Sequence, residues 1–211
     1  MYLPFENVGC AVGGASFELA KSFDNVDAFD FSENFVNAAK EMQKGDKIMS
    51  FRIPIEAEIH ETVQAVHEDG VTENVRNRVN FFVGDACQLQ NYSKNDILGT
   101  YDGVVMSNLL CRLPDPIASL DGLQLIVNKG GIVVIVTPFS WLDQFTKKKN
   151  WLGGYVDPIT DEKVYSKTVL KELMEDRGFV KIHEEEMPLV IREHQRKYQY
   201  IVSEASAWRK L

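Results

Sequence analysis

The chain has 211 residues, 45% of them hydrophobic and 26% charged, with a formal net charge of −8 at pH 7. That length and balance fit one soluble globular domain with a single core, and the acidic total argues against a nucleic-acid partner, which needs a concentrated basic face. The basic clusters "TKKKN" (Thr146 to Asn150) and "REHQRK" (Arg192 to Lys197) are short and read as solvated charge.

Cys10, Cys87 and Cys111 lie far apart with no CxxC pair, which fits reduced thiols in a cytoplasmic protein and not a disulfide scaffold. No signal peptide is visible, and no apolar run approaches the roughly 20 residues of a membrane span, so no membrane partner is expected. His60, His67, His183 and His194 lack ligand-like spacing, so no metal is expected.

In chain order, short apolar runs alternate with helical patterns, the signature of a parallel α/β sheet with helices on both faces. A first strand runs up to Val8, a helix follows from Gly14 to Phe23, and "VDAFD" (Val26 to Asp30) reads as the second strand. Ser32 is a good N-cap for a helix carrying Phe35, Ala39 and Met42 on one face, with Gly45 at its stop. "FRIPIEAEI" alternates at period two from Phe51 to Ile59, with Pro54 favouring an edge or bend, and is expected as an extended excursion within an insertion over 48–77.

"RVNFFVGD" (Arg78 to Asp85) and "DGVVMSN" (Asp102 to Asn108) read as the third and fourth core strands. A helix starts near Asp115 with proline at its first position, and Gly131 to Thr137 is the fifth strand. Residues 138–165 hold Trp141 and Trp151 and are expected as a helix and loop overhanging the carboxyl edge of the sheet. "KTVLKELMEDRGF" is a helix ending at Gly178, and two strands close the chain, giving an antiparallel C-terminal addition to a single domain spanning 1–211.

Ligands of open α/β sheets sit at the carboxyl ends of the strands where strand order reverses. Gly9, Gly13 and Gly14 follow the first strand as G-x-x-x-G-G, which is not the G-x-G-x-x-G of dinucleotide binders. Asp30 ends the second strand, where a carboxylate can accept hydrogen bonds from both ribose hydroxyls. "GDAC" (Gly84 to Cys87) ends the third, where an aspartate and the next backbone N–H can read an adenine edge. Asn108 closes the fourth. Each feature alone also fits a plain turn or cap; the four together form a specific signal.

"VGCAVGG", Asp30 and "GDAC" resemble the cofactor motifs of class I S-adenosylmethionine-dependent methyltransferases, with Asn7 standing where many members have Asp. That resemblance implies a Rossmann-like sheet, S-adenosyl-L-methionine as cofactor, and cofactor contacts from Gly9, Cys10, Gly13, Asp30, Phe31, Asp85, Ala86 and Asn108. The first strand begins almost at Met1, so the family's leading helix is expected to be absent or cut off.

"GCAVGGASFELA", "DFSENFVNAA", "GDACQL", "TPFSWLDQFT", "NWLGG" and "VIREHQRKYQYIVSEASAWRK" together resemble the mercaptohistidine N-methyltransferase domain of ovothiol biosynthesis, across Val8 to Lys210. The resemblance implies methyl transfer to a ring nitrogen of a thiolated histidine, with a sulfoxide-synthase partner module supplying the sulfur chemistry.

Such an acceptor needs an aromatic, hydrogen-bonding enclosure and a cation for its α-carboxylate. The candidates are Asn108, Arg112, Trp141, Trp151, Arg192, Arg196 and Tyr198; no general base can be named. The residues leave open another amino-acid, metabolite or protein acceptor, and a non-catalytic cofactor-binding domain.

Overall fold

The computed structural model describes residues 4–45, 49–95 and 97–211; Met1–Leu3, Asp46–Ile48 (which include the first residue of the expected insertion) and Asp96 lie outside them. β1 (Pro4–Val8) leads through the glycine cluster into α1 (Gly14–Leu19), and β2 (Asn25–Asp30) leads into α2 (Glu33–Lys44). α1 is shorter than its pattern predicts because the chain tightens after it, with Lys21 N–H bonding Glu18 O and Ser22 N–H bonding Leu19 O. In α2, Ser32 accepts a hydrogen bond from Phe35 N–H (3.3 Å) and Gly45 ends the helix at φ 67°. Its buried residues are Val36 and Ala39, whereas Phe35 is 47% exposed. The expected face holds at Ala39 and Met42, and Val36 takes the place of Phe35.

The period-two stretch is extended, as expected, and forms the first strand and turn of a hairpin outside the main sheet. β3 (Ser50–Glu56) pairs antiparallel with β4 (Ile59–Gln64) around a turn in which Ala57 takes φ 47°. None of its residues is fully buried. α3 (Glu73–Arg76) returns the chain to β5 (Val79–Val83), followed by α4 (Leu89–Lys94), β6 (Tyr101–Ser107), α5 (Pro116–Ile126) and β7 (Val127–Thr137). Asp115 caps α5 by accepting from Ala118 N–H (3.0 Å), with Pro116 at the first position.

The overhang contains no α-helix among the described residues. It holds a 3₁₀ turn at Lys148–Asn150 and a small ribbon of β8 (Tyr155–Val156) with β9 (Lys163–Val164). Side-chain bonds replace the helical ladder here: the buried Thr146 hydroxyl donates to Leu113 O (2.7 Å), Asn150 Nδ2 to Pro114 O (2.9 Å) and Trp151 Nε1 to Thr146 O (2.7 Å). α6 (Ser166–Asp176), β10 (Phe179–His194) and β11 (Lys197–Lys210) complete the chain.

The seven-stranded sheet has the order β10-β11-β7-β6-β1-β2-β5. β7, β6, β1, β2 and β5 pair in parallel, and β11 runs antiparallel to both β7 and β10. Val8, Met106, Leu120, Ile135 and Trp208 anchor the core on the α4–α5–α6 face; Phe5, Phe17, Val36 and Phe81 anchor the α1–α2 face. From β1 the chain builds outward to β2 and β5, then returns to add β6 on the other side, so the strand order reverses between β1 and β6. The last residue of β7, Thr137, pairs with Glu204, so the ribbon from Met187 to Ser203 projects beyond the carboxyl end of β7.

Candidate functional site

The turn after β1 is held from beneath by one carbonyl, with Gly9 and Cys10 N–H both reaching Phe29 O (2.9 Å each). Gly9 (φ 78°), Ala11 (φ 47°) and Gly13 (φ 89°) are all left-handed. A Cβ on Gly9 would lie 2.7 Å from Leu109, and one on Gly13 would lie 2.7 Å from the Phe81 ring, so both positions need glycine for space as well as conformation. Under the loop, Asn7 Nδ2 donates to the buried Ser16 hydroxyl (2.8 Å), tying β1 to α1.

Asp30 meets this loop directly. One carboxylate oxygen accepts from Ala11 N–H (2.9 Å) and the other from Ser32 N–H (2.9 Å). An ionised carboxylate offers about four acceptor sites, so about two remain for a ligand's hydroxyls. At the end of β5, Asp85 accepts from Cys87 N–H (2.8 Å), while its own N–H donates to the Tyr92 hydroxyl (2.8 Å). Ala86 beside it is buried.

These strand ends border a cavity of about 390 Å³ lined by Gly9, Asp30, Phe31, Asp85 and Ala86 and also by Leu109, Arg112, Gln144 and Phe145. That volume suits a small organic ligand. Leu109, Gln144 and Phe145 were not singled out by spacing, because they arrive from the overhang and the turn after β6. Arg112, expected beside the acceptor, lines this cavity. Its guanidinium lies 5.1 Å from the centroid of the Phe145 ring and donates to Ser140 O (2.7 Å). A larger apolar recess of about 520 Å³ lies under the β3–β4 hairpin and meets the glycine loop only at Val12 and Gly14, away from both carboxylates.

The remaining candidates are dispersed. The Cys10 side chain belongs to the core on the α1 side, and its thiol is pushed up to about 12 by burial and by the nearby charges of Asp30 and Glu6, so it stays protonated. Gly13 caps α1 and packs on Phe81 without lining the cavity. Trp141 is buried, with its indole N–H donating to Ser166 Oγ (2.8 Å), a core anchor of the overhang. Trp151 is half-buried beside a shallow recess formed with Lys148, Lys149 and Tyr155.

Arg192 and Tyr198 are cross-strand partners near the tip of the projecting ribbon, where Arg192 lies 3.9 Å from Glu61 of the β3–β4 hairpin. Arg196 is exposed in the tip itself. Asn108 follows β6 at the reversal point, at φ 53°, with its N–H on Val136 O (2.7 Å) and its Oδ1 accepting from the Ser203 hydroxyl (2.8 Å).

Residues 7–184 match the model of a family described as a methyltransferase domain. The chain belongs to this methyltransferase family. Among solved structures, a SAM-dependent methyltransferase from Methanosarcina mazei matches with a TM-score of 0.63 at 18% identity, covering 100% of this chain and 93% of that one. Magnesium protoporphyrin IX methyltransferase from Synechocystis PCC 6803, with bound SAH, matches with a TM-score of 0.59 at 18% identity, covering 100% and 75%. The same enzyme with bound SAM gives a TM-score of 0.56 at 16% identity, covering 100% and 71%. At these identities the likeness establishes the fold, a class I methyltransferase sheet with its added antiparallel strand. No curated protein sequence matches this methyltransferase. Among the described residues no group of three His, Cys, Asp or Glu could hold a metal ion, and no helix is long and apolar enough to cross a membrane.

Proposed function

We propose that this methyltransferase transfers a methyl group from S-adenosyl-L-methionine to an imidazole nitrogen of 5-mercaptohistidine. The observation that carries the cofactor half is the convergence of Gly9, Asp30 and Asp85 on one cavity beside the β1–β6 reversal. Asp30 receives the ribose hydroxyls, Asp85 and the Ala86 N–H read the adenine edge, and the left-handed glycine loop lets the ligand lie close to the backbone. The acceptor half rests on the sequence blocks "TPFSWLDQFT", "NWLGG" and "VIREHQRKYQYIVSEASAWRK". The sulfur-inserting step then belongs to a separate sulfoxide-synthase module.

When bound, the cofactor supplies an electrophilic methyl group on a sulfonium. The protein's task is mainly positioning, since in-line displacement by an already nucleophilic imidazole nitrogen needs no strong base. The nitrogen lone pair forms the new N–CH₃ bond as the S–CH₃ bond breaks, and the ring's N–H proton leaves to solvent. Turnover is tested by mass spectrometry with 5-mercaptohistidine and histidine as alternative acceptors. A singly methylated product from the thiolated substrate alone is expected; a product from histidine alone, or from neither, overturns the acceptor.

Phe145 lines the same cavity as Asp85 and Ala86, with the Arg112 guanidinium over its ring. Phe145→Ala is therefore expected to weaken both adenosine and S-adenosylhomocysteine binding about tenfold, the scale of one lost aromatic contact on a base. Calorimetry on both ligands checks this, and an unchanged affinity for adenosine removes Phe145 from the adenine site.

A further inference from the structure

A thiolated imidazole carries two competing nucleophiles, and its sulfur is the stronger one. An N-methyltransferase for this acceptor must therefore turn the sulfur away from the methyl group. The carboxyl ends of three adjacent strands bear on that problem. Ala11 after β1, Asn108 after β6 and Phe139 after β7 are all left-handed, at φ 47°, 53° and 50°. In Ala11 and Phe139 this backbone is strained and persists only where surrounding structure imposes it, and such strain gathers at functional sites; Asn108 adopts it at little cost.

Asn108 is the polar member of the three. It sits at the reversal of strand order, its N–H is fixed to Val136 O, and its carboxamide oxygen is taken by Ser203. Ser203 is fully buried and comes from β11, the strand that also builds the projecting ribbon. With the oxygen occupied, the Asn108 NH₂ group has no protein partner among the described residues. The half-buried amide held in this orientation presents its NH₂ group as the unpaired donor.

We infer that Ser203 is a positioning residue that holds the Asn108 carboxamide as a hydrogen-bond donor to the sulfur of the acceptor. The hydrogen bond ties down the sulfur lone pairs and leaves a ring nitrogen to face the methyl group. This deepens the acceptor reading given above and rests on it. In the disfavoured course, the sulfur lone pair forms S–CH₃ while the cofactor's S–CH₃ bond breaks. In the favoured course the nitrogen lone pair does so, and the ring proton goes to solvent. The donor decides between the two, not whether either can occur.

The test reads the ratio of N-methyl to S-methyl product by fragmentation mass spectrometry, together with calorimetric binding of 5-mercaptohistidine to the complex with S-adenosylhomocysteine. Ser203→Ala frees the amide to rotate, and the N:S ratio is expected to fall by about tenfold, the scale of one hydrogen bond to a charged group. Ser203→Thr keeps the hydroxyl and is expected to restore the wild-type ratio. Asn108→Asp tolerates the left-handed backbone but presents an acceptor to the sulfur, so a larger fall in ratio and acceptor binding weakened about tenfold or more are expected.

Unchanged ratios in Ser203→Ala and Asn108→Asp, with or without a loss of rate, overturn the inference while leaving the acceptor standing. Unchanged acceptor binding in Asn108→Asp does the same. A wild-type enzyme that methylates some other acceptor and not 5-mercaptohistidine overturns both.

Discussion

Asp30→Ala is expected to weaken S-adenosylhomocysteine binding by about 100-fold or more. Each hydrogen bond to a charged group contributes about 1.5–3 kcal/mol, and about 1.4 kcal/mol is tenfold in affinity. The carboxylate is placed for two such bonds to ribose. It also organises its own surroundings, since Ala11 N–H and Ser32 N–H both end on it. Removing it therefore costs the ribose contacts and releases the strained glycine loop at once. Asp30→Asn separates the two effects. It keeps one acceptor oxygen for the loop but halves the acceptor capacity, so an intermediate affinity is expected. Calorimetry on the three proteins decides the matter, and an unchanged Kd in Asp30→Ala removes this residue from the cofactor site.

Much of this architecture was legible because its signals are local. Strand runs punctuated by glycine and aspartate announce their own carboxyl ends, and a parallel sheet then brings Gly9, Asp30 and Asp85 together without further information. Capping chemistry was equally readable at Ser32 and Asp115, where one side chain satisfies a nearby N–H.

What failed was whatever depends on distant partners. Phe145 reaches the cavity because Thr146 is pinned to Leu113 O across 33 residues, and Asn108 is oriented by a serine 95 residues away. Neither pairing has a periodicity to read. The expected helix in the overhang gave way to side-chain bonds made to the turn before α5. In α2, Val36 took the buried place expected of Phe35, because packing against the sheet outranks the simplest i, i+4 pattern. Trp141 shows the opposite limit: its size and polar edge suit a substrate enclosure and a core equally, and its bond to Ser166 makes it core.

The second large effect lies outside the site. Glu6 sits on β1 between Asp27 of β2 and Val104 of β6, fully buried, and neither carboxylate oxygen has a hydrogen-bond partner among the described residues. Burial, reinforced by the nearby charge of Asp27, raises its pKa well above the ordinary 4.5. The nearby Tyr101 hydroxyl, which donates to Asp27 (2.8 Å), offsets part of this by drawing the Glu6 pKa down.

A carboxyl whose pKa is raised by folding lets the folded state hold its proton longer than the unfolded chain does. Its contribution to stability is therefore fully present below the unfolded pKa and is lost as pH rises through the folded one, by up to about 1.4 kcal/mol per pH unit. Glu6→Leu replaces the polar burden with an apolar side chain of similar length in a core position. It is expected to stabilise the protein by about 1–3 kcal/mol near neutral pH, the scale of one unsatisfied buried polar group, and to raise Tm by about 2–4 °C per kcal/mol for a chain of this size.

Glu6→Gln keeps a polar group but removes the titration, so its advantage over the wild type is expected to widen from pH 5 to pH 8. Denaturant unfolding across that range checks both variants. A Glu6→Leu protein less stable than the wild type at every pH would mean that the carboxyl is satisfied in solution, with Tyr101 or water as its partner. The proton would then be shared through the Glu6–Tyr101–Asp27 group, and the cost assigned to one buried acid would belong to all three.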